Sequence, residues 1–118
     1  MRSPVVALGA INAALAVAAG AFAAHGLKER LEPRALEIFE VGARYHMYHA
    51  LAMVLAGVLT VRGADTAGWI FQAGIVVFSG SLYALALTDV KVLGAITPIG
   101  GLAFLAGWVW LAWVAWRG

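Results

Sequence analysis

The sequence predicts an all-α, polytopic membrane protein: a bundle of four transmembrane helices with a short amphipathic interfacial helix between the first two spans. Composition, the placement of charge and the placement of tryptophan predict it. Of 118 residues, 64% are hydrophobic and 12% charged, where soluble domains carry roughly 45–50% apolar and about 25% charged residues. The 8 basic and 6 acidic residues fall so that four windows, 4–24, 45–61, 66–87 and 93–116, carry no formal charge. A hydrocarbon core of about 30 Å asks for roughly 17–25 helical residues, and these windows hold 21, 17, 22 and 24. Backbone amides in lipid must be satisfied within the segment, which leaves helices or closed barrels, and uninterrupted apolar runs do not alternate as barrel strands do. Trp69 near the start of the third window, and Trp110, Trp113 and Trp116 near the end of the fourth, share one headgroup zone if there are four passes.

The first window opens at Pro4 behind Arg2, with small residues around Phe22. That pattern imitates a secretory signal, and the expectation is that it stays as the first span. It holds Asn12, whose unpaired amide in hydrocarbon costs several kcal/mol, so Asn12 should face the bundle interior or a neighbouring subunit. Ala16, Gly20 and Ala24 follow at four-residue spacing, a ridge that permits close backbone approach.

The one sizeable polar segment comes next, Lys28-Glu29-Arg30-Leu31-Glu32-Pro33-Arg34, and runs on to Arg44. Pro33 suits a first helical turn. Leu36, Phe39, Ala43 and Met47 recur at helical spacing while Arg34, Glu37, Glu40 and Arg44 gather elsewhere on the wheel, which describes an amphipathic interfacial helix running into the second span. Glu40 and Arg44 have the favourable acid-before-base spacing, although an exposed pair contributes only about 0.2–0.5 kcal/mol.

A turn at Arg62-Gly63-Ala64-Asp65 leads into the third span, with Asp65 or Thr66 as the expected cap. That span carries Gln72, for which the same burial argument holds as for Asn12, then Ser79, Gly80, Ser81 and Tyr83. Gly80 with Ala84 is a second small-residue ridge. Thr88-Asp89-Val90-Lys91 forms the last turn, and Thr97-Pro98-Ile99-Gly100-Gly101 either starts the fourth helix or kinks it near its beginning. Thr97 with Gly101 and Ala103 with Gly107 complete the ridges. Trp108 lies deeper than the other tryptophans, and its indole N–H needs a partner there.

Charge sets the expected orientation. Lys28, Arg30, Arg34, Arg44 and Lys91 lie on one side, Arg2, Arg62 and Arg117 on the other. The positive-inside rule then places both termini outside the cytoplasm, in a multi-pass protein of the plasma membrane. A net charge of +2 gives no reason to expect nucleic acid; the partners expected are membrane lipids, further copies of the chain in a homo-oligomer, and an unidentified membrane partner.

No catalytic set is present. Ser79 and Ser81 have no base near them in sequence and are read as close packing, with hydroxyls bonding back to the preceding turn. The Gly-rich pieces lack phosphate-binding spacing. With 0 cysteines there is no thiolate metal site, and no cofactor is expected. His25, His46 and His49 are the one titratable group of note. Read as interfacial residues at one membrane face, they bond to backbone, headgroups or Tyr45 and Tyr48; read chemically, they are candidates for a metal, haem or proton-relay site.

The motifs Gly20-Ala21-Phe22-Ala23-Ala24-His25-Gly26-Leu27-Lys28, Arg44-Tyr45-His46-Met47-Tyr48-His49-Ala50, Phe78-Ser79-Gly80-Ser81-Leu82-Tyr83 and Thr97-Pro98-Ile99-Gly100-Gly101 together resemble the small membrane-protein family catalogued as domain of unknown function four-two-three. The resemblance covers nearly the whole chain and implies a compact four-span protein without an established activity. Ala23 replaces the family's usual middle glycine, a change that bears on backbone approach at the end of the first helix. The resemblance also implies a polar cluster of His25, Tyr45, His49, Ser79, Ser81, Tyr83, Thr97 and Pro98 toward one membrane face. The functions expected from these residues are a noncatalytic structural, accessory or lipid-binding role, and as alternatives a small channel or transporter using Asn12, Gln72 and the histidines, or metal binding.

Overall fold

The computed structural model describes residues 2–118, and the elements follow local chemistry. Helix α1 (Pro4–Phe22) opens with the Ser3 hydroxyl accepting from the Val6 amide at 3.2 Å and with proline in its first turn, where no intrahelical donor is needed. It widens into a π turn over Ala23–Leu27. Helix α2 (Pro33–Val58) again starts on proline. Helix α3 (Ala64–Gly74), a π turn at Ile75–Ser79 and helix α4 (Gly80–Thr88) form one continuous rod. Asp89, with φ 58°, ends that rod in the left-handed region, its amide donating to the Leu85 carbonyl at 2.8 Å. Helix α5 (Val92–Arg117) contains Pro98 in its interior rather than at its start. Proline cannot donate to the Gly94 carbonyl, and only the helix's first turns feel the loss.

Three of the four rods, Pro4–Leu27, Ala64–Thr88 and Val92–Arg117, are long and apolar enough to cross a membrane. The fourth, α2, is as long as α5 but carries the basic residues and histidines. The molecule measures 48 × 28 × 17 Å, against roughly 40–45 Å for a bilayer with its headgroups. Its buried core runs from the end that holds both termini to the middle of the rods, where Met53 and Ala56 of α2 meet Phe71 of α3 and Phe104 and Val114 of α5. A smaller cluster of Ala23, Leu27, Phe39 and Ala86 closes one end. Large apolar side chains face outward: Ile11 and Leu15 on α1, Tyr48, Leu51, Leu55 and Val58 on α2, and Leu102, Leu105 and Val109 on α5, the last 69% exposed. Such a surface suits hydrocarbon and not water.

Several expectations are corrected. The amphipathic segment is not a separate interfacial helix: residues from Pro33 to Val58 form one unbroken rod, because nothing between Arg34 and Tyr45 interrupts helical hydrogen bonding. Glu40 and Arg44 form no ion pair; among the described residues the salt bridge is Lys91 to Asp89, both exposed. The cap of α3 is Gly63, with φ 93° and no side-chain bond, and Asp65 sits inside the first turn. The ridges are only partly used. A Cβ at Gly20 or Gly80 would meet nothing within 4 Å, whereas Gly9 lies against Met53 and the backbone of α2, Gly74 against Phe104, Gly100 against the backbone of Phe78, and Gly107 against Phe71. Ala23, the departure from the family motif, is fully buried in the end cluster, so its methyl fills space instead of blocking an approach.

The turn at Gly63 ties the second connection to the end of α5. Its carbonyl accepts from the Trp110 indole at 2.9 Å, and Arg117 donates to the Arg62 carbonyl at 3.3 Å. A side chain at a positive φ costs roughly 1–2 kcal/mol, and a Cβ at Gly63 would stand 3.2 Å from both Arg117 and Val114. Gly63→Ala is therefore expected to lower stability by about 2 kcal/mol in mixed-micelle unfolding; an unchanged midpoint would contradict this account of the turn.

Candidate functional site

The residues predicted to form one cluster are distributed over several separate bonds, and the largest chain includes Asn12 and Gln72, which were expected to need partners but were placed outside that cluster. Asn12 is eight residues from Pro4 and Gln72 eight from Ala64. At 1.5 Å per residue both lie about 12 Å inside the same end of the bundle, and they meet. The Asn12 amide donates to Gln72 Oε1 at 2.8 Å and to the Leu8 carbonyl at 2.9 Å. Both of its protons are thus committed to oxygens, which fixes the amide's orientation and makes Oδ1 an acceptor. His46 Nε2 lies 2.9 Å from that oxygen, and its Nδ1 lies 2.9 Å from the Tyr83 hydroxyl. A neutral imidazole with its proton on Nε2 completes the series: Tyr83 donates to His46, His46 to Asn12, Asn12 to Gln72. Four side chains from α1, α2, α3 and α4 are joined.

His49 has the opposite tautomer. Its Nδ1 stands 2.8 Å from the Tyr45 carbonyl one turn back, which can only accept, so the proton is on Nδ1. Its Nε2 receives the Trp108 indole N–H at 3.1 Å, and the ring stacks on Phe104 with centroids 3.5 Å apart. Trp108 therefore has the partner it required. His49 is nine residues from Val58 and Trp108 nine from Arg117, again about 14 Å from that end.

The remaining hydroxyls join rods in pairs. Ser79 donates across to the Gly42 carbonyl of α2 at 2.8 Å, not back to its own turn as expected, while Ser81 reaches the Phe78 carbonyl at 2.9 Å as expected. Ser81 also meets the Thr97 hydroxyl at 2.6 Å, and Thr97 lies 3.1 Å from the Leu93 carbonyl. Two protons serve these three contacts.

Tyr45 contributes its carbonyl and a ring packed on Phe78. His25 and Pro98 are exposed and take no part in these bonds. The interfacial reading of the histidines is corrected for two of them: His46 and His49 are buried, 6% and 5% exposed, because α2 begins at Pro33 and carries them deep into the bundle. Both ring nitrogens of each are engaged, so neither directs a lone pair to a shared metal position, and among the described residues no three His, Cys, Asp or Glu side chains converge.

One group of the main chain of bonds is left over. The Gln72 Nε2 has no partner among the described residues, and no buried side-chain nitrogen or oxygen lacks one; this amide nitrogen is therefore accessible. Gln72 lines a lateral crevice of about 400 Å³ between α1 and the α3–α4 rod, together with Leu8, Ile11, Leu15, Ile75, Val76 and Gly80 and with the bonded polar residues Asn12, His46, Ser79 and Tyr83. Sequence reasoning singled out Asn12 and Gln72 but did not join them to His46 and Tyr83. Equal offsets from helix ends at the same side were a signal for the Asn12–Gln72 pair, whereas His46 and Tyr83 share no such offset.

Comparison with known proteins gives a consistent result. A family model described as a protein of unknown function, DUF423, matches residues 19–101. A membrane protein of Bacillus subtilis named UPF0382 membrane protein YwdK is 49% identical over 109 residues, covering 88% of this chain and 89% of its own. UPF0382 membrane proteins of Staphylococcus aureus and Staphylococcus saprophyticus are 50% and 47% identical, each covering 90% of this chain and 89% and 91% of their own. No solved structure matches.

Proposed function

Since the chain belongs to the DUF423 family, membrane proteins of unknown function, we propose that it is a noncatalytic four-span protein that seats a lipid chain in the crevice beside Gln72. The fourth span in this reading is α2. Its low hydropathy comes from Arg44, Tyr45, His46, Tyr48 and His49, and the two histidines have hydrogen-bond partners at every ring nitrogen, which removes most of the cost of placing them in hydrocarbon. Its outer stripe of Tyr48, Leu51, Leu55 and Val58 is exposed like those of the other rods. The basic residues of the first and third connections favour both termini outside the cytoplasm.

The observation that carries the lipid reading is the accessible Gln72 amide nitrogen in a crevice whose other polar lining groups are already hydrogen-bonded. An unpaired donor at that depth is costly, and an ester carbonyl of a lipid entering sideways would satisfy it while its chain covers the apolar walls. The other polar groups bond to one another, which favours this role over a conducting path. Gly80 provides the test, since a Cβ there meets nothing within 4 Å and the residue lines the crevice. In native mass spectrometry from phosphatidylcholine nanodiscs, wild type is expected to keep one lipid and Gly80→Leu to lose it at unchanged thermal stability. Equal retention would overturn the proposal.

A further inference from the structure

A second cavity, distinct from the crevice, lies at the opposite end of the molecule. It holds about 460 Å³ between the connection after α1, the start of α2 and the turn joining α4 to α5. Its rim carries Arg30, Arg34 and Lys91 with Glu32 and Asp89, and its floor is aliphatic, built from Leu31, Ala35, Ile38, Leu85 and Ala86. The rods Ala64–Thr88 and Val92–Arg117 end and begin beside it, which sets the rim at headgroup level and the floor at the level of the first acyl carbons.

We propose that this cavity is a binding site for an anionic glycerophospholipid of the phosphatidylglycerol type, with its phosphate between Arg30 and Arg34 and one acyl chain on the aliphatic floor. Three features select this occupant. The rim has three cations to two carboxylates, and among the described residues Arg30 and Arg34 have no ion-pair partner. Guanidinium groups match phosphate oxygens bidentately, and basic pockets between transmembrane helices are suited to anionic headgroups. Asp89 is already matched by Lys91 at 2.6 Å, so it does not repel the phosphate, and with Glu32 it can accept from the headgroup hydroxyls of glycerol. A choline headgroup offers no hydroxyl and carries its own cation toward the arginines. Free phosphate would leave the aliphatic floor uncovered.

The test uses the full chain in nanodiscs of equimolar phosphatidylglycerol and phosphatidylcholine, with the lipids that stay bound on gentle release identified by native mass spectrometry. In a Gly80→Leu background, which leaves this cavity as the lipid site under test, the chain is expected to retain phosphatidylglycerol over phosphatidylcholine by about tenfold, and the further change Arg30→Gln/Arg34→Gln to bring that ratio to about one. Arg2→Gln/Arg62→Gln in the same background, which removes the same charge from the opposite side, is expected to leave the ratio unchanged. Ala35→Phe in that background, which fills the floor and keeps every charge, should likewise bring the ratio to about one. A ratio near one in the Gly80→Leu background, an unchanged ratio in both the arginine and the Ala35→Phe variants, or displacement of the lipid by millimolar inorganic phosphate would each overturn the assignment.

Discussion

Gly100→Ala is expected to destabilise the bundle by about 3 kcal/mol, while Gly101→Ala, one residue along, is expected to be neutral or slightly stabilising. A Cβ at Gly100 would stand 2.7 Å from the Cα of Phe78 and as close to its Cβ, whereas one at Gly101 would meet only ring atoms of Phe78 at 3.9 and 4.0 Å. The first contact is with backbone in the π turn of the neighbouring rod, which cannot rotate away as a side chain does. Relief requires α5 to move outward, and the same α5 seats Phe104 against Gly74 and receives Phe71 beside Gly107. Overpacking of this kind costs about 1–3 kcal/mol, and the coupled loss of those neighbouring contacts puts the effect at the upper end. At Gly101 the new methyl finds ordinary van der Waals space, and replacing an interior helical glycine by alanine gains up to about 1 kcal/mol. Reversible unfolding in mixed micelles reads both. Similar losses at the two positions would show that the α5 approach to the π turn is looser than described.

The sequence discloses spans better than it discloses faces. Charge-free windows mark rods because hydrocarbon excludes unpaired charge, and three of the four windows lie inside rods of the expected length. The second window was bounded by the charge at Arg44, and the helix expected from Pro33 into that span does start there; what differs is that its first turns continue the span's rod and do not form a separate interfacial helix. That difference moves His46 and His49 from the membrane face to the interior. The glycine ridges misled for a related reason. Four-residue spacing says which residues share a face of one helix, and only the neighbours decide whether that face is covered, as at Gly107, or open, as at Gly20 and Gly80. Asn12, Gln72 and Trp108 were read correctly as groups requiring partners, because that requirement is a property of the side chain and its depth alone. Which partners they take depends on how antiparallel rods align. The cavity at Arg30 and Arg34 was illegible, since it joins the distant segments 30–38 and 85–91.

His46→Ala is expected to destabilise the protein by about 2–3 kcal/mol, and the loss should depend on Asn12. The substitution removes the bonds to Tyr83 and to Asn12 together and leaves a hydroxyl and an amide oxygen without partners in a buried site. Interhelical hydrogen bonds in membranes contribute about 0.6 kcal/mol on average and up to roughly 1.7, and stranding buried groups adds to the cost of losing them. A double-mutant cycle separates the bond from the cavity the smaller side chain creates. With Asn12→Ala already present, the Nε2 bond no longer exists, so His46→Ala should then cost about 1 kcal/mol less. Trp108→Phe belongs to the other chain, through His49, and should add to Asn12→Ala within about 0.5 kcal/mol. The tautomers give an independent reading: nitrogen NMR should find the proton on Nε2 of His46 and on Nδ1 of His49. If both rings share one tautomer, or if the Asn12–His46 pair is additive, the rods of α1, α2 and α3–α4 are joined by apolar packing and not by this series of bonds.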